Sequence, residues 1–129
     1  MGTVPAAVEA RIEGETHVAQ LATCVDGRPH VAPLWYRYEN DMIEIATTGQ
    51  KLANLRRNPS VAVAIQTADE DGMPDWRVSL FGTATVIDDE QQSRDGRARI
   101  HRKYGIDEDA FPENQLVRIA VDSASFKDF

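Results

Sequence analysis

The strongest constraint on the fold is a series of short β-type runs separated by tight-turn signals. Residues 17–25 and 29–39 are rich in β-forming side chains, and Asp26-Gly27 between them is a typical hairpin turn. Asn40-Asp41 marks a second turn, which precedes a third run over residues 42–47 with Ile43 and Ile45 on one face. Strands joined by such short turns pair antiparallel, since a parallel connection needs a dozen or more residues.

The remainder of the chain continues this pattern with short helices between strands. Strands are predicted over residues 60–67, 76–87 and 115–121, and helices over 6–14 and 89–104, the second weakened by Gly96. A further short helix begins after Thr48 and ends at Asn58-Pro59, because proline cannot continue a helix. Six strands without a βαβ rhythm predict an α+β, mainly β fold: a six-stranded antiparallel small barrel or strongly bent sheet with short flanking helices.

Length and composition narrow the class of protein. A chain of 129 residues with 42% hydrophobic and 27% charged residues is expected to form one domain over residues 1–129. No apolar run approaches the roughly 20 residues of a membrane span, and the N-terminal residues do not resemble a secretory signal. We therefore expect a cytoplasmic protein with no membrane partner.

The charge balance argues against nucleic acid as a partner. The chain has 21 acidic and 14 basic residues, for a formal net charge of −7, so any basic patch would have to be local. The basic residues between 94 and 103 are read first as a solvated helix face and second as a flank that could bind an anion.

Several kinds of catalytic site have little support in the sequence. The lone Cys24 lies in an apolar alternating run and is read as a small core residue. His17, His30 and His101 lack metal-ligand spacing and are read as structural or exposed, so no metal is expected. No Gly-x-Ser-x-Gly motif occurs. The sequence therefore leaves the catalytic residues unknown.

Lys51 occupies an unusual position for a cation. It falls in the first turn of the predicted helix, where backbone N–H groups carry partial positive charge and favour an anion. The hydroxyls of Thr47 and Thr48 and the flexible backbone of Gly49 lie at the same helix start. Together these groups predict a phosphate-binding site, with the alternative that Lys51 simply extends into solvent.

The order and spacing of several short motifs resemble those of the pyridoxamine 5′-phosphate oxidase-like proteins of the flavin-binding split β-barrel. The resemblance covers about residues 15–90. The residues that carry it are DGRPHVAPLWY from Asp26, Thr47-Thr48, Lys51, Asn54-Leu55, Asn58-Pro59, Arg77-Val78 and Gly82-Thr83-Ala84.

The resemblance implies a homodimeric split barrel that binds FMN or the deazaflavin F420 in two clefts between subunits and acts as an oxidoreductase on a small-molecule acceptor. In such proteins the positions that match Thr47, Thr48 and Lys51 hold the cofactor phosphate, and Asn54 matches less closely. The strand that matches Pro33, Leu34, Trp35 and Tyr36 lies along the cofactor. The position that matches Arg77, with Trp76 beside it, lies near the ring system, either within one subunit or across the dimer interface.

The chain also departs from the pyridoxamine oxidases proper. It has Gly49-Gln50-Lys51 where those enzymes usually have Ser-Arg-Lys, and it has Val31 and Tyr36 at positions of an arginine and a lysine. We also expect no counterpart here to the C-terminal region that completes their vitamin site. We therefore expect no vitamin B6 oxidation, and the shorter branch that includes F420-dependent reductases fits better.

Two alternatives stay open at the level of sequence. Side chains alternate along a strand, so at most one of Trp35 and Tyr36 faces the core while the other is available to a cofactor or a partner subunit. Because no acid–base constellation is evident, the same fold could serve as a non-catalytic carrier of flavin or haem. The basic residues between 94 and 103 would suit the polyglutamate tail of F420.

Overall fold

The computed structural model describes residues 3–129, which form one antiparallel sheet with three helices beside it. The elements in chain order are α1 Ala6–Ile12, β1 Ala19–Val25, β2 Arg28–Leu34, β3 Arg37–Glu39, β4 Met42–Thr47, α2 Gly49–Arg57, β5 Ser60–Ala68, β6 Pro74–Val86, α3 Glu90–Lys103 and β7 Gln115–Asp128. The predicted turns at Asp26-Gly27 and Asn40-Asp41 connect β1 to β2 and β3 to β4. Asp26, Asn40 and Asp41 have positive φ, which Asn and Asp tolerate better than most residues.

Residues 3–129 form seven strands, so the predicted count of six is wrong. The run predicted over residues 29–39 divides at Trp35 and Tyr36 into β2 and β3, which lie at opposite edges of the sheet in the order β2-β1-β5-β6-β7-β4-β3. Only two residues connect these edges, and three residue steps span at most about 11 Å. The sheet therefore curls until its two edges nearly meet without pairing, which is the split barrel.

Alternating side chains of the curled sheet fill its interior. Ile43 and Ile45 are fully buried on one face of β4, as predicted. Tyr36 is also fully buried, and its hydroxyl donates to the carbonyl oxygen of Ile12 at 2.7 Å, which ties α1 to the core. Leu55 of α2 joins the same apolar cluster.

Helix α3 packs closely on β4 and β7. Its N-cap Asp89 accepts a hydrogen bond from the backbone N–H of Gln92. Gly96 is buried, and a Cβ at this position would lie 2.7 Å from Leu116 Cδ1 of β7. The glycine that weakened the helix prediction is thus the residue that lets the helix approach the sheet.

A second anchor of α3 is the Glu44 cluster, which we define as Glu44, Arg37, Arg99 and Arg118. Glu44 pairs with Arg37 and Arg118 across neighbouring strands, and Arg99 reaches it from α3. The three nitrogen–oxygen distances are 3.0–3.2 Å, and only 7% of the Glu44 side chain is exposed. Burial opposes ionisation of Glu44, but hydrogen bonds from Arg99 and Arg118 outweigh it and hold the pKa of Glu44 below its ordinary value.

The last strand is longer than the predicted 115–121. β7 continues to Asp128 because β6 offers pairing partners from Val86 back to Trp76, with an irregularity in register between Phe81 and Gly82. None of the helices in residues 3–129 has the length and apolar character needed to cross a membrane.

Candidate functional site

A cleft of about 360 Å³ lies beside the gap between β2 and β3. Five parts of the chain meet there: the residue before β1, the end of β2, the junction of β4 and α2, the C-terminal part of α3, and the loop before β7. We call this site the cleft. Its lining residues are Val18, Pro33, Leu34, Trp35, Ala46, Thr47, Thr48, Lys51, Ile100, His101, Phe111 and Asn114.

One end of the cleft is the N-terminus of α2. Gly49 has φ +66°, a conformation that side-chain-bearing residues adopt at a cost, and Thr48 makes no side-chain capping hydrogen bond. No acidic residue occupies the first turn, and Lys51 takes part in none of the ion pairs found in residues 3–129. The first-turn N–H groups and the ammonium of Lys51 therefore share one end of the cleft with no carboxylate to balance them.

The Thr47 hydroxyl is a second group at this end of the cleft that lacks a hydrogen-bond partner among the described residues. The residue is only 2% exposed, and its hydroxyl Oγ1 is buried without a hydrogen-bond partner among the described residues. A buried hydroxyl left unpaired costs about 1–3 kcal/mol. A ligand with acceptor oxygens at this end would satisfy Lys51 and the helix terminus, and rotation of the Thr47 side chain toward the cleft would bring its hydroxyl to the same ligand.

The opposite wall of the cleft is aromatic. Trp35 stacks on Tyr104 with ring centroids 5.4 Å apart, and its ring meets Phe111 edge-on at 6.2 Å. Trp35 is 36% exposed and Phe111 is 46% exposed, so both present apolar surface beside the polar end. One polar and one aromatic wall suit a planar ring system that carries an anionic tail.

His101 is the functional candidate that the sequence interpretation missed. It is 2% exposed and lines the cleft from α3, with its ring edge-on to Trp35 and Phe111. Its Nδ1 lies 3.3 Å from the carbonyl oxygen of Glu108. The only local signal for such a role was a histidine on the apolar side of a polar helix, three residues before Tyr104, and that pattern is equally common in cores.

Lys103 lies behind the aromatic wall rather than in the cleft. Its Nζ donates to the backbone oxygen of Tyr36 at 2.9 Å and lies 4.0 Å from the centroid of that tyrosine's ring. Burial and, to a smaller extent, the charge of Arg37 lower the pKa of Lys103 to about 8. Lys103 thus helps to hold the β2–β3 connection against α3.

The structure brings six of the ten predicted cofactor-binding residues together in the cleft. Among them, Trp35 faces the cleft whereas Tyr36 faces the core, which decides the alternative left open by strand alternation. The Tyr36 hydroxyl is occupied by Ile12, and burial raises its pKa well above the ordinary value. The six residues in the cleft are Pro33, Leu34, Trp35, Thr47, Thr48 and Lys51.

Asn54 lies on another side of α2. Its amide nitrogen donates to Thr23 Oγ1 at 3.1 Å, and its oxygen accepts from Gln50 Nε2 at 2.7 Å. It faces a second groove, between α2 and the β1–β2 hairpin, rather than the cleft. In this structure Asn54 connects the helix to the sheet.

Trp76 and Arg77 lie on β6, outside the cleft lining. The Trp76 ring packs edge-on to His17 at 5.2 Å, and Arg77 borders a small pocket of about 240 Å³ that shares Val18 with the cleft. Within one chain, Val18 therefore lies between Arg77 and the cleft.

An apolar row on a sheet face that none of the helices in residues 3–129 covers adjoins the cleft. Cross-strand pairing places Val31, Ala22, Ala62 and Phe81 in one row across β2, β1, β5 and β6. Val31 is 64% exposed and Phe81 is 59% exposed. We call this row the exposed row; Pro33 follows Val31 on the same face of β2 and lines the cleft.

Comparison with known proteins identifies the family and the fold. Residues 4–128 match the family model described as pyridoxamine 5′-phosphate oxidase. No curated protein matches the sequence.

Several solved structures share the fold at low identity. An F420 reductase aligns with 22% identity and a TM-score of 0.77, covering 95% of this chain and 98% of that one. A FAD-binding protein from Mesorhizobium loti aligns with 22% identity and a TM-score of 0.75, covering 95% and 94%. The haem storage protein HutZ from Vibrio cholerae aligns with 20% identity and a TM-score of 0.75, covering 99% and 95%. At these identities the likeness shows a common fold.

Proposed function

The chain belongs to the pyridoxamine 5′-phosphate oxidase family, and from this premise and the cleft we propose that it is a cytoplasmic oxidoreductase that uses FMN or F420 to reduce a small-molecule acceptor. Residues 1–129 form one cofactor-binding domain in this proposal. The observation that carries it lies at the start of α2, opposite an aromatic wall, where within residues 3–129 Lys51 has no ion pair and the Thr47 hydroxyl has no partner.

The donor set fits the phosphate of such a cofactor. A phosphate accepts hydrogen bonds from backbone N–H groups, hydroxyls and an ammonium at once, and these are the groups around Thr47, Thr48 and Lys51. The proposed phosphate thereby balances the cation that the first turn of α2 otherwise disfavours. Residues Thr47, Thr48 and Lys51 would hold the phosphate, while Trp35 and Leu34 would lie along the ring.

When bound, the flavin or deazaflavin would supply the hydride or electron transfer, because no side chain of the chain performs redox chemistry of that kind. The chain's own residues orient the ring and exclude water. Trp35, stacked on Tyr104, offers a rigid apolar surface, and Phe111 covers it from the loop before β7. The polar end fixes the tail, so the ring has one direction in which to extend.

The proposal is tested by charge removal at Lys51. The protein, purified and stripped of ligand, is titrated with FMN and with F420, and binding is followed by cofactor fluorescence. Lys51→Gln should weaken binding of the preferred cofactor about 30-fold, since a hydrogen bond to a charged group contributes roughly 1.5–3 kcal/mol. Arg57→Gln is the matched control, because it removes the same charge from the far end of the same helix, where Arg57 pairs with Asp26. Equal affinity in wild type and Lys51→Gln, or no binding of either cofactor, would refute the proposal.

We extend the proposal to a homodimer in which two copies pack through the exposed row. The row presents large apolar side chains on a sheet face that no helix covers, and burial of such a face is favourable at about 25 cal/mol per Å². Because Pro33 lies on this face and lines the cleft, a second copy seated there would border the cleft.

The dimer is tested by sedimentation velocity. Phe81→Asp should convert a species of twice the chain mass into a monomer, since it puts a charge into the proposed contact. Met73→Asp is the control, because Met73 is 64% exposed but lies in the β5–β6 turn away from the row. A wild-type protein that sediments as a monomer at all concentrations contradicts this part of the proposal.

A non-catalytic carrier of flavin or haem is the second candidate. The observation that favours it is that no carboxylate or thiol lines the cleft in the part of the chain that the structure describes. A carrier would bind reduced cofactor and show no acceptor-dependent reoxidation, whereas an oxidoreductase would reoxidise it when quinone or nitroaromatic acceptors are supplied.

A further inference from the structure

His101 takes no part in the proposed binding of the phosphate and the ring, but its position in the cleft suits it to contact a ligand. We propose that His101 hydrogen-bonds through Nε2 to the molecule in the cleft and exchanges a proton with it. This inference rests on the proposed function, because it places the ligand in the same cleft.

The two ring nitrogens of His101 have different surroundings. Nδ1 lies 3.3 Å from the carbonyl oxygen of Glu108, which can only accept, so Nδ1 carries the proton of the neutral ring. Nε2 then has a free lone pair. Among residues 3–129 it has no hydrogen-bond partner, and it is not one of the fully buried unpaired polar atoms. The free nitrogen of a 2% exposed residue that lines the cleft therefore keeps access to that cleft.

The His101 ring is held in place from several sides. Trp35 and Phe111 meet its plane edge-on, with centroids 6.3 and 6.0 Å away. The segment that supplies the Glu108 carbonyl also forms an exposed ion pair with α3, between the Glu108 carboxylate and Arg102. The backbone oxygen of His101 accepts from Ile106 N–H at 2.9 Å. A fixed ring with one anchored nitrogen is the arrangement expected of a group that orients a ligand.

The other two histidines differ from His101 in their position. Nε2 of His17 and Nδ1 of His30 are buried without partners, and neither residue lines the cleft. Of the twelve residues that line the cleft, only Lys51 and His101 have side chains that titrate. Lys51 is assigned to the phosphate, so proton exchange in the cleft falls to His101.

The proposed step moves one proton from His101 to the ligand. In the protonated ring the Nε2–H bond breaks, its electron pair stays on nitrogen, and a new bond to hydrogen forms on the ligand. Nδ1–H remains on the Glu108 carbonyl throughout, and Nε2 is reprotonated from water. A reduced cofactor bound in the cleft would supply the hydride to an acceptor such as a quinone, and the proton from His101 would complete the reduction of that acceptor to the hydroquinone.

The first test observes the ring directly by NMR. The three histidine Cε1–H signals are assigned with His17→Gln, His30→Gln and His101→Gln, and FMN or F420 is then added to the wild-type protein. The His101 signal should shift on saturation, while the His30 signal stays within the line width. If cofactor binds in a Lys51-dependent manner and the His101 signal does not move, this inference fails while the proposed function stands. If neither cofactor binds, both fail.

The second test separates proton exchange from packing. Reoxidation of reduced F420 or FMN by menadione is measured for wild type, His101→Gln and His30→Gln under saturating cofactor. His101→Gln should bind cofactor within about fivefold of wild type but turn over about 100-fold more slowly, as expected for loss of a proton-transfer group. A purely structural role would change stability and leave kcat within twofold. That result, or a hemin Soret band that disappears in His101→Gln and so indicates iron ligation, would overturn the inference.

Discussion

The cleft and the Glu44 cluster both lie against α3 and both place charge in a half-buried setting. They differ in whether those charges are paired within the protein. In the Glu44 cluster three guanidinium groups contact one carboxylate at 3.0–3.2 Å. In the cleft, Lys51 has no ion pair and the Thr47 hydroxyl has no partner within residues 3–129. The cluster's charges are satisfied by the protein, and the cleft's are not.

The contrast supports the proposal that the cleft, rather than the cluster, binds a ligand. A buried polar group that is paired stabilises or is neutral, whereas one that is unpaired costs free energy that only a bound partner can recover. The Glu44 cluster thus serves to hold α3 on the sheet, although it contains more charge than the cleft. Charge density alone would favour the cluster over the cleft.

The largest effect is expected when the cluster is deprived of its carboxylate. Glu44→Gln should lower the free energy of unfolding by about 3 kcal/mol, because it leaves three partly buried guanidinium groups without their common partner. Urea denaturation at neutral pH measures this. Glu39→Gln serves as the control, since the Glu39 side chain is 57% exposed and its one ion pair within residues 3–129 is with Arg37. A loss no greater for Glu44→Gln than for Glu39→Gln would mean that the cluster does not anchor α3.

Acid should erase the difference between wild type and Glu44→Gln. The folded-state pKa of Glu44 lies below the ordinary value of 4.5, so its stabilising contribution is complete above that pH and is lost as the pH falls through the folded-state pKa. The two denaturation midpoints should therefore stay a constant distance apart above pH 4.5 and converge below it. A gap that persists into strong acid would show that the carboxylate charge is not the cause.

A smaller effect of opposite sign is expected in the cleft. Thr47→Val should raise the free energy of unfolding of the ligand-free protein by about 1 kcal/mol, because it removes a buried hydroxyl that has no partner. The same substitution should weaken FMN or F420 binding about fivefold. Thermal unfolding with and without cofactor measures both changes. A variant that is less stable in the absence of cofactor would show that the hydroxyl is satisfied within the protein, which would remove the contrast with the cluster.

Local sequence was sufficient for the parts of the fold that depend on local chemistry. The Asp26-Gly27 and Asn40-Asp41 turns lie where predicted, because positive φ and tight reversal are properties of a few adjacent residues. The helix start that carries Thr47, Thr48 and Lys51 was also evident, and so was the family resemblance. These features need no knowledge of distant contacts.

The remaining features depend on contacts between distant parts of the chain. The division of residues 29–39 into β2 and β3 follows from curling of the sheet, which brings together edges that the order of strands separates. Which of Trp35 and Tyr36 faces the core was decided by α1, whose Ile12 carbonyl accepts the Tyr36 hydroxyl. His101 enters the cleft only because α3 docks through Gly96 and the Glu44 cluster.

The sequence by itself determined the antiparallel strands, their turns and the cation at the helix start, because each depends on neighbouring residues. Tertiary structure alone decided which side chains meet at the cleft. Their convergence comes from the curvature of the sheet and from the docking of α3, and both are sums of many long-range contacts that no short stretch of sequence contains.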